Sequence, residues 1–274
     1  PIRMLADRVN TLQMGMVASE RVFRVLDTKE FIDDNGTVEL HDFTTDIEFK
    51  NVWFAYNDNQ WVLKDISFKI NDGELLAIVG ATGAGKSSII NLLSRFYEIN
   101  KGAIMIDGIS SKEFTIESLR KSIAVVLQDV FLFSDSIINN ITLGQENISR
   151  EAVISAAKEV GIHDFIELLP GGYDFDVRER GGMLSTGQRQ FIAFLRAYMY
   201  NPKILVLDEA TSSVDSESEN LIRQAMQRLT ANRTSIIIAH RLSTIQAADK
   251  IMVIDHGKIA EMGNHMELIE LNGI

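Results

Sequence analysis

The sequence predicts an α/β fold whose core is a mostly parallel β-sheet. Three observations lead to this prediction: a stretch with the two-residue period of half-buried strands, four short apolar runs typical of strands buried on both faces, and helical patterns around those runs. Alternation of strand and helix along a chain places helices on the faces of a parallel sheet. The stretch with the two-residue period predicts a separate antiparallel β subdomain.

The antiparallel subdomain is predicted from apolar residues that alternate with polar ones. The alternation occurs at Ile47, Phe49, Val52 and Phe54, and again at Ile66, Phe68 and Ile70. Each predicted strand therefore has one apolar and one wet face, as in antiparallel sheets. Turns are predicted at residues 57–60 and 71–73, which are rich in Asn, Asp and Gly.

The central sheet is predicted from the apolar runs Leu75–Val79, Ile123–Leu127, Ile204–Leu207 and Ile236–Ala239. Helical patterns accompany them at Ser87–Phe96, Arg150–Val160, Gln188–Met199 and Ser216–Leu229. A polar or phosphate-binding element follows each run: Gly80, Gln128, Asp208 with Glu209, and His240. Because ligands of parallel sheets bind beyond the carboxyl ends of the strands, these elements are expected to share one site.

The first segment has a helical period. Its apolar residues recur every three to four positions, with Ser19 as the one polar break in the stripe; they are Ile2, Leu5, Val9, Leu12, Met16, Phe23 and Leu26. This spacing predicts a helix of about 25 residues. It is either packed on its own domain or the tail of a longer helix whose partners are missing. The second interpretation is favoured because no N-cap precedes the pattern. The polar, acidic residues 28–46 are predicted to form a linker.

Composition excludes several classes of function. The chain has 274 residues, a net charge of −11 and no cysteine. Nucleic-acid binding needs clustered Lys and Arg, so a nucleic-acid partner is not expected. Thiolate metal sites and disulfides are excluded, and the five histidines lack zinc-ligand spacing. No apolar run reaches the ~18 residues of a membrane helix. A start at Pro1 without a signal-peptide pattern suggests an excised fragment in a cytoplasmic setting.

Residues 80–87, Gly-Ala-Thr-Gly-Ala-Gly-Lys-Ser, match the P-loop pattern between a predicted strand and a predicted helix. Backbone N–H groups of such a loop wrap a phosphate, and the next helix points its positive N-terminal end there. Lys86 is expected to reach the β- and γ-phosphates, and Ser87 to bind Mg²⁺. The nucleotide-binding residues predicted in this segment are Gly80, Thr82, Gly83, Ala84, Gly85, Lys86, Ser87 and Ser88.

The acidic pair Asp208 and Glu209 ends a second predicted strand. One carboxylate can hold Mg²⁺ through water, and the next can orient or deprotonate the attacking water. An acidic pair alone could also cap a helix, but its position after a P-loop favours the catalytic interpretation. Gln128 and His240 at the same edge could sense the γ-phosphate and its metal. Each could equally be a structural residue.

Two further candidates carry weaker signals. Tyr56 follows the strand at residues 52–54 and could stack on a base, or could be a half-buried strand residue. Residues 184–188, Leu-Ser-Thr-Gly-Gln, open a predicted helix with Ser185 as N-cap, and Gly187 leaves the backbone open for close approach. Free N–H groups at such a start form an anion site, although a well-capped helix is the plain alternative.

In this order and spacing, the motifs resemble those of the ABC ATPase family over about Ile47 to Ile269. The resemblance makes Tyr56 the aromatic A-loop, residues 80–87 Walker A, Gln128 the Q-loop and residues 184–188 the signature. Asp208 and Glu209 become Walker B, residues 212–215 the D-loop and His240 the H-loop. It implies a P-loop NTPase core with an antiparallel β subdomain and an inserted helical subdomain at about residues 129–198.

The resemblance also implies the chemistry. ATP and Mg²⁺ are the expected cofactors, with Ser87, Gln128 and Asp208 at the metal. Glu209, His240 and Gln128 are the expected catalytic residues, and Tyr56 is expected at the base. Ser185, Gly187 and Gln188 are expected to cover ATP bound to the Walker A motif of a second nucleotide-binding domain, identical or different, in a head-to-tail dimer.

Two segments resemble the exporter branch of the family. Residues 177–181, Val-Arg-Glu-Arg-Gly, resemble the exporter x-loop with Glu179 at its acidic position, and residues 239–245 resemble the exporter H-loop. Residues 1–27 then resemble the cytoplasmic end of the last transmembrane helix, with residues 47–274 as the ATPase domain. The resemblance implies docking on the coupling helices of the transmembrane domain through residues 128–136, at the cytoplasmic face of the membrane.

The pattern is broken at Thr186, where the signature usually has glycine. A β-branched residue there is expected to crowd the approach to the γ-phosphate. The alternatives are an ABC ATPase without a membrane partner and a nucleotide-dependent scaffold with little turnover. The first lacks support because no coiled-coil insertion separates the halves of the nucleotide site. Glu209 and Gln128 argue against the second, which Thr186 keeps open.

Overall fold

The computed structural model describes residues 2–28, 32, 34–57, 60–145, 147–208, 216–239, 241–271 and 273. The chain forms two compact units, Pro1–Asp33 and Asp34–Ile274. No helix among the described residues combines the length and the apolar character needed to cross a membrane.

The first unit contains helix α1, Ile2–Leu26, which has the bounds that the apolar period predicts. Its residues are all exposed, and this includes the apolar stripe. Arg24 forms an ion pair with Glu20 one turn earlier, at 3.1 Å. Because most helical stability in proteins comes from packing an apolar face, a helix of this kind gains from a partner along its stripe.

The second unit contains strands and helices in a mixed order. Its strands are β1 Asp46–Phe54, β2 Leu63–Asn71, β3 Leu75–Val79, β4 Lys101–Ile106, β5 Ile109–Ser110, β6 Ile123–Val126, β7 Ile204–Asp208, β8 Thr234–Ile238, β9 Lys250–Asp255 and β10 Lys258–Gly263. Its helices are α2 Lys86–Leu93, α3 Ile116–Ser122, α4 Ile137–Thr142, α5 Arg150–Val160, α6 His163–Glu167, α7 Thr186–Tyr200, α8 Ser216–Thr230, α9 Leu242–Gln246 and α10 His265–Leu271. Short 3₁₀ turns form at Gly172–Asp174 and Glu179–Gly181.

The central sheet has the strand order β10-β9-β3-β8-β7-β6. All neighbours from β9 to β6 are parallel, and only the β9–β10 pair is antiparallel. The predicted mostly parallel sheet is therefore confirmed. The β9–β10 hairpin extends it beyond what the apolar runs predict.

The central sheet is covered on both faces, which explains its continuous apolar strands. On β3, Leu76 and Ile78 pack with the antiparallel subdomain and helices α2 and α3. Ala77 between them packs on the opposite face, with apolar residues of α4, α5, α7 and α8. Successive strand residues point to opposite faces, so each needs an apolar side chain.

The antiparallel sheet has the order β2-β1-β4-β5. Phe49 on β1 pairs with Phe68 on β2, and their rings stack at 4.5 Å. Residues 34–45 lie against this subdomain: Leu40 and Phe43 are buried, and the Asp107 carboxylate accepts bonds from the N–H groups of residues 44–46. The division into linker and domains stays a prediction.

Two predicted elements end earlier than their apolar pattern. Strand β6 ends at Val126 rather than at Leu127, whose side chain is 56% exposed. As the edge strand, β6 is less covered than its neighbours. Helix α2 ends at Leu93 rather than Phe96, because Arg95 takes a left-handed conformation with φ of 48°. The Arg95 guanidinium is buried and donates to the carbonyls of Ser111 and Phe114.

Candidate functional site

The loop between β3 and α2 has a backbone that only glycine permits at two positions. Gly80 has φ of +148°, and a Cβ there would lie 2.1 Å from the carbonyl oxygen of Ile254. Gly85 has φ of +109° at the N-cap of α2, where a Cβ would lie 2.6 Å from Leu63 Cδ2. The loop is therefore fixed against β9 and β2, and it leads directly into α2.

Lys86 is buried inside this loop. Its Nζ donates to the carbonyl of Gly80 at 2.8 Å and to that of Ala81 at 3.0 Å. Burial lowers the pKa of Lys86, and the nearby negative charge of Asp208 acts in the opposite direction. An ammonium has three N–H donors. The two carbonyls already hold the Lys86 side chain in the loop. Binding of an anion therefore costs little further side-chain conformational entropy.

Asp208 lies at the end of β7, beside the loop on the same edge of the sheet. The carboxyl ends of β3, β8, β7 and β6 are aligned, because Ile78 pairs with Ile238, Asp208 with Ile238, and Val126 with Leu207. Gly80, Gln128 and Asp208 therefore follow or end strands of the parallel series β3-β8-β7-β6, at a common edge. Ser87 is exposed in the first turn of α2, and Gln128 is exposed after β6.

The oxygen atoms at this edge fit a magnesium ion. Mg²⁺ in nucleotide sites is held by one or two carboxylates, a hydroxyl, waters and the phosphates themselves, rather than by an all-protein cage. The Asp208 carboxylate, the Ser87 hydroxyl and the Gln128 amide oxygen are donors of that kind. The described residues contain no group of three His, Cys, Asp or Glu side chains arranged to hold a metal alone.

Two predicted catalytic residues lie outside the described part of the chain. These are Glu209 and His240, and the D-loop at residues 212–215 is outside it as well. The residues that precede them in sequence, Asp208 and Ala239, are described. Glu209 directly follows Asp208 at the end of β7. His240 follows Ala239, whose N–H donates to the Ile78 carbonyl on β3 at 3.0 Å.

Tyr56 is tied to the start of α2 through its hydroxyl. The hydroxyl lies 3.0 Å from Ser88 Oγ and accepts a bond from Asn91 Nδ2 at 3.2 Å. Its ring meets Phe54 and Tyr97 edge to face, at 4.7 and 4.9 Å, and 44% of the residue is exposed. Sequence reasoning missed Asn91 and Tyr97. An aromatic residue shortly after the P-loop helix was the available signal for Tyr97.

We expect Tyr56 to contribute affinity for the base with little selectivity between bases. Stacking on an aromatic ring is worth about 1–3 kcal/mol per base and tolerates any base. Tyr56→Ala should therefore weaken ATP binding about tenfold, whereas Tyr56→Phe, which keeps the ring, should lose less. Competition of GTP against ATP for the wild-type site measures the selectivity between bases. A preference above about 10³-fold would contradict this expectation, because it requires hydrogen bonds to the edge of the purine.

The segment at residues 184–188 forms the start of α7. Ser185 Oγ accepts a bond from the Gln188 N–H at 3.2 Å, and Gln188 Oε1 accepts one from the Ser185 N–H at 2.9 Å. This reciprocal capping box fixes the turn. Ser185 and Thr186 are exposed, whereas Gly187 is buried. The exposed hydroxyls and the positive end of α7 form a surface suited to an anion.

The family model described as "ABC transporter" matches residues 63–212, more than half of the chain. The match includes the loop around Lys86, the capped turn at Ser185 and the strand that ends at Asp208. The chain belongs to the ABC transporter family. The α/β architecture is that of an ABC ATPase domain, and domains of this family bind ATP.

Relatives of this ABC domain match it along its whole length. The uncharacterized ABC transporter ATP-binding protein YknV of Bacillus subtilis (strain 168) is 46% identical over 100% of this chain and 46% of its own length. An ATP-dependent lipid A-core flippase of Haemophilus influenzae (strain 86-028NP) is 46% identical over 100% of this chain and 47% of the flippase. The chain thus spans about half the length of these curated relatives.

A solved structure agrees with the sequence relatives. The structure of a bacterial Atm1-family ABC exporter with ATP bound superimposes with a TM-score of 0.86 at 41% identity. The superposition covers 99% of this chain and 48% of that exporter. The likeness to that exporter therefore extends over nearly the whole of this chain.

Proposed function

We propose that this chain is the ATP-binding and ATP-hydrolysing domain of a membrane exporter, and that two such domains close around ATP to drive export. The observation that carries the proposal is the buried Lys86, held inside a glycine loop beside Asp208 at the sheet edge. A buried cation in a glycine loop at a helix N-terminus suits the β- and γ-phosphates of a nucleotide. The sequence identity to ATP-dependent exporters supports the same function.

The proposed roles follow from the chemistry at this edge. The loop and Lys86 would bind the phosphates, and Ser87, Asp208 and Gln128 would hold Mg²⁺, which would supply positive charge next to the phosphates. Glu209 accepts the proton of the attacking water, and His240 and Gln128 contact the γ-phosphate side of the site. Tyr56 stacks on the adenine. Proton transfer to a positioned carboxylate is worth roughly 10²–10⁴-fold in rate.

The second half of the site comes from a partner subunit. Ser185 Oγ accepts a bond from Gln188, which leaves the hydroxyl proton to donate outward. The exposed turn of one chain would cover the phosphates bound to Lys86 of the other, in a head-to-tail dimer. ATP then joins the subunits, because the positive ends of α2 of one subunit and α7 of the other both point to it. Hydrolysis removes that link and resets the dimer.

The membrane partner would dock in a cavity of about 510 Å³ between β6 and α7, here called the docking groove. Phe131 and Phe133 line it and are 54% and 55% exposed. Arg196 also lines it, donating to the Asn140 and Phe131 carbonyls, while its Nη2 is buried without a hydrogen-bond partner. Burial lowers the Arg196 pKa. A short amphipathic coupling helix that brings an oxygen acceptor fits this groove.

The exposed apolar stripe of α1 fits the same proposal. A helix that continues from the membrane domain would carry such a stripe toward neighbouring membrane helices, and the relatives are about twice as long as this chain. The chain would then work at the cytoplasmic face of the membrane, attached to its own transmembrane domain. The net charge of −11 fits a protein partner rather than nucleic acid.

We expect the specific ATPase activity of the purified chain to rise with its concentration, because two chains build one site. The measurement is phosphate release from Mg-ATP over a wide range of protein concentration. A scaffold with little turnover would bind ATP and release almost no phosphate at any concentration. A non-transport ABC ATPase would hydrolyse ATP, but its rate would not respond to a membrane domain supplied in trans. Either outcome would contradict the export proposal.

A further inference from the structure

Arg189 folds back from the first turn of α7 onto the start of that helix. Its Nη2 donates to the hydroxyl oxygen of Thr186 at 3.2 Å, and its Nη1 donates to the carbonyl of Leu184 at 3.1 Å. Thr186 stands where the family signature usually has glycine, so this bond depends on the departure of this chain from the pattern. The guanidinium therefore bonds to the residue before Ser185 and to the residue after it.

The stem of Arg189 is held by a second segment. A Cβ built on Gly181 would lie 3.0 Å from Arg189 Cδ and 2.9 Å from Leu132 Cδ1, so the Gly181 backbone packs against both side chains. Gly181 has φ of +70°, and a larger residue there would displace the stem as well as strain the backbone. Leu132 is fully buried, between the exposed Phe131 and Phe133 of the docking groove.

We infer that Arg189 is a positioning residue that fixes the signature turn, residues 184–186, for binding ATP held by the partner subunit. The inference rests on the proposed function and adds a role for Thr186. The Thr186 hydroxyl accepts from Arg189, so its own proton is free to point elsewhere. Bonds to a charged donor are stronger than neutral ones, and a planar guanidinium orients both acceptors at once. Thr186 thus stabilises the turn instead of crowding the phosphate.

The test uses the 274-residue chain and two readouts. The first is the Kd of a fluorescent ATP analogue for the isolated chain, which depends on the loop around Lys86. The second is the dissociation constant of the ATP-bound dimer, measured by sedimentation with Glu209→Gln in the background to slow hydrolysis. Arg189→Met keeps the stem and removes the donors. Thr186→Val keeps the shape and removes the hydroxyl, and Lys158→Met on α5 is a matched surface control.

We expect Thr186→Val to weaken the dimer about tenfold, the loss expected for one bond to a charged group. Arg189→Met should weaken it at least as much, because it also loses the bond to the Leu184 carbonyl. Analogue binding should stay unchanged in both, as in Lys158→Met. The double variant should be no weaker than the weaker single variant, because both changes remove the same bond. Thr186→Ser, which keeps the hydroxyl, should dimerise like the wild type. These results would distinguish a positioning role from a general loss of stability.

Several outcomes would overturn the inference. A dimer of normal strength in Arg189→Met or Thr186→Val would do so, and so would additive losses in the double variant. Thr186→Gly that dimerises better than the wild type would show that threonine obstructs the site. If Arg189→Met fails to fold, the threonine series decides alone. A Glu209→Gln chain without other changes that stays monomeric with ATP would refute the proposed function itself, and this inference with it.

Discussion

Lys86→Ala is expected to lower ATP turnover on the order of 10²-fold or more, because it removes the cation from the β- and γ-phosphates. Lys86 already lies in place within the loop, bonded to the Gly80 and Ala81 carbonyls, so its charge acts on the transition state without reorganisation. Truncation also leaves those carbonyls without their donor. Phosphate release at saturating Mg-ATP gives the turnover, and calorimetry gives the affinity.

The control for this prediction is Lys158→Ala, which removes an exposed cation of α5 far along the chain from the loop. It should hydrolyse ATP at the wild-type rate. If Lys86→Ala kept normal turnover while remaining folded, the phosphate site would have to be assigned elsewhere. Arginine at position 86 should not rescue activity, because a planar guanidinium does not fit the space of a point-charge ammonium.

Glu209→Gln is expected to lower turnover by roughly 10²–10⁴-fold while ATP binding is kept, because glutamine cannot accept the proton of the attacking water. The change is nearly isosteric and lies next to Asp208, which stays available to the metal. With hydrolysis blocked, the ATP-bound state should accumulate as a dimer. Size-exclusion chromatography with Mg-ATP would show it as a shift to twice the monomer mass.

The matched comparison for Glu209→Gln is Asp208→Asn, one residue earlier. Asp208→Asn removes a proposed metal ligand, so it should lose Mg-dependent binding as well as turnover and should not accumulate the dimer. If Glu209→Gln retained turnover, the general base would have to be another residue. If both variants behaved alike, the separate roles proposed for the two carboxylates would be wrong.

The sequence predicted those strands that are buried on both faces along their whole length, and it predicted the glycine-rich loop. Leu75–Val79 and Ile204–Leu207 are continuous apolar runs because both of their faces are covered, and the P-loop pattern fixes its own backbone through glycines. Strand β10, with the sequence Lys-Ile-Ala-Glu-Met-Gly, lies at the sheet edge, and its two charged residues interrupt any continuous apolar run, so its signal was too weak. The strand order also depends on pairings between residues far apart in the chain.

The contacts within the site were less predictable than its residues. Motif spacing pointed to Tyr56, Lys86 and Ser185, because phosphate and base binding require these residue types there. It gave no sign that Asn91 would donate to the Tyr56 hydroxyl, or that Arg189 would fold back onto Thr186. Such bonds depend on side-chain conformations that only the packed fold selects. The expectation that Thr186 crowds the site rests on residue size and stays a prediction; the bond from Arg189 is what the structure adds at this position.

The composite site is tested most directly by mixing two inactive variants. Ser185→Arg blocks the signature turn but keeps the loop around Lys86, and Lys86→Ala does the reverse. If one site is built from two chains, the mixture contains dimers with one intact site and one doubly damaged site. We predict that each variant alone is nearly inactive and that the mixture recovers part of the wild-type ATPase activity. A mixture as inactive as its components, together with a wild-type rate per chain that is independent of concentration, would contradict the head-to-tail mechanism.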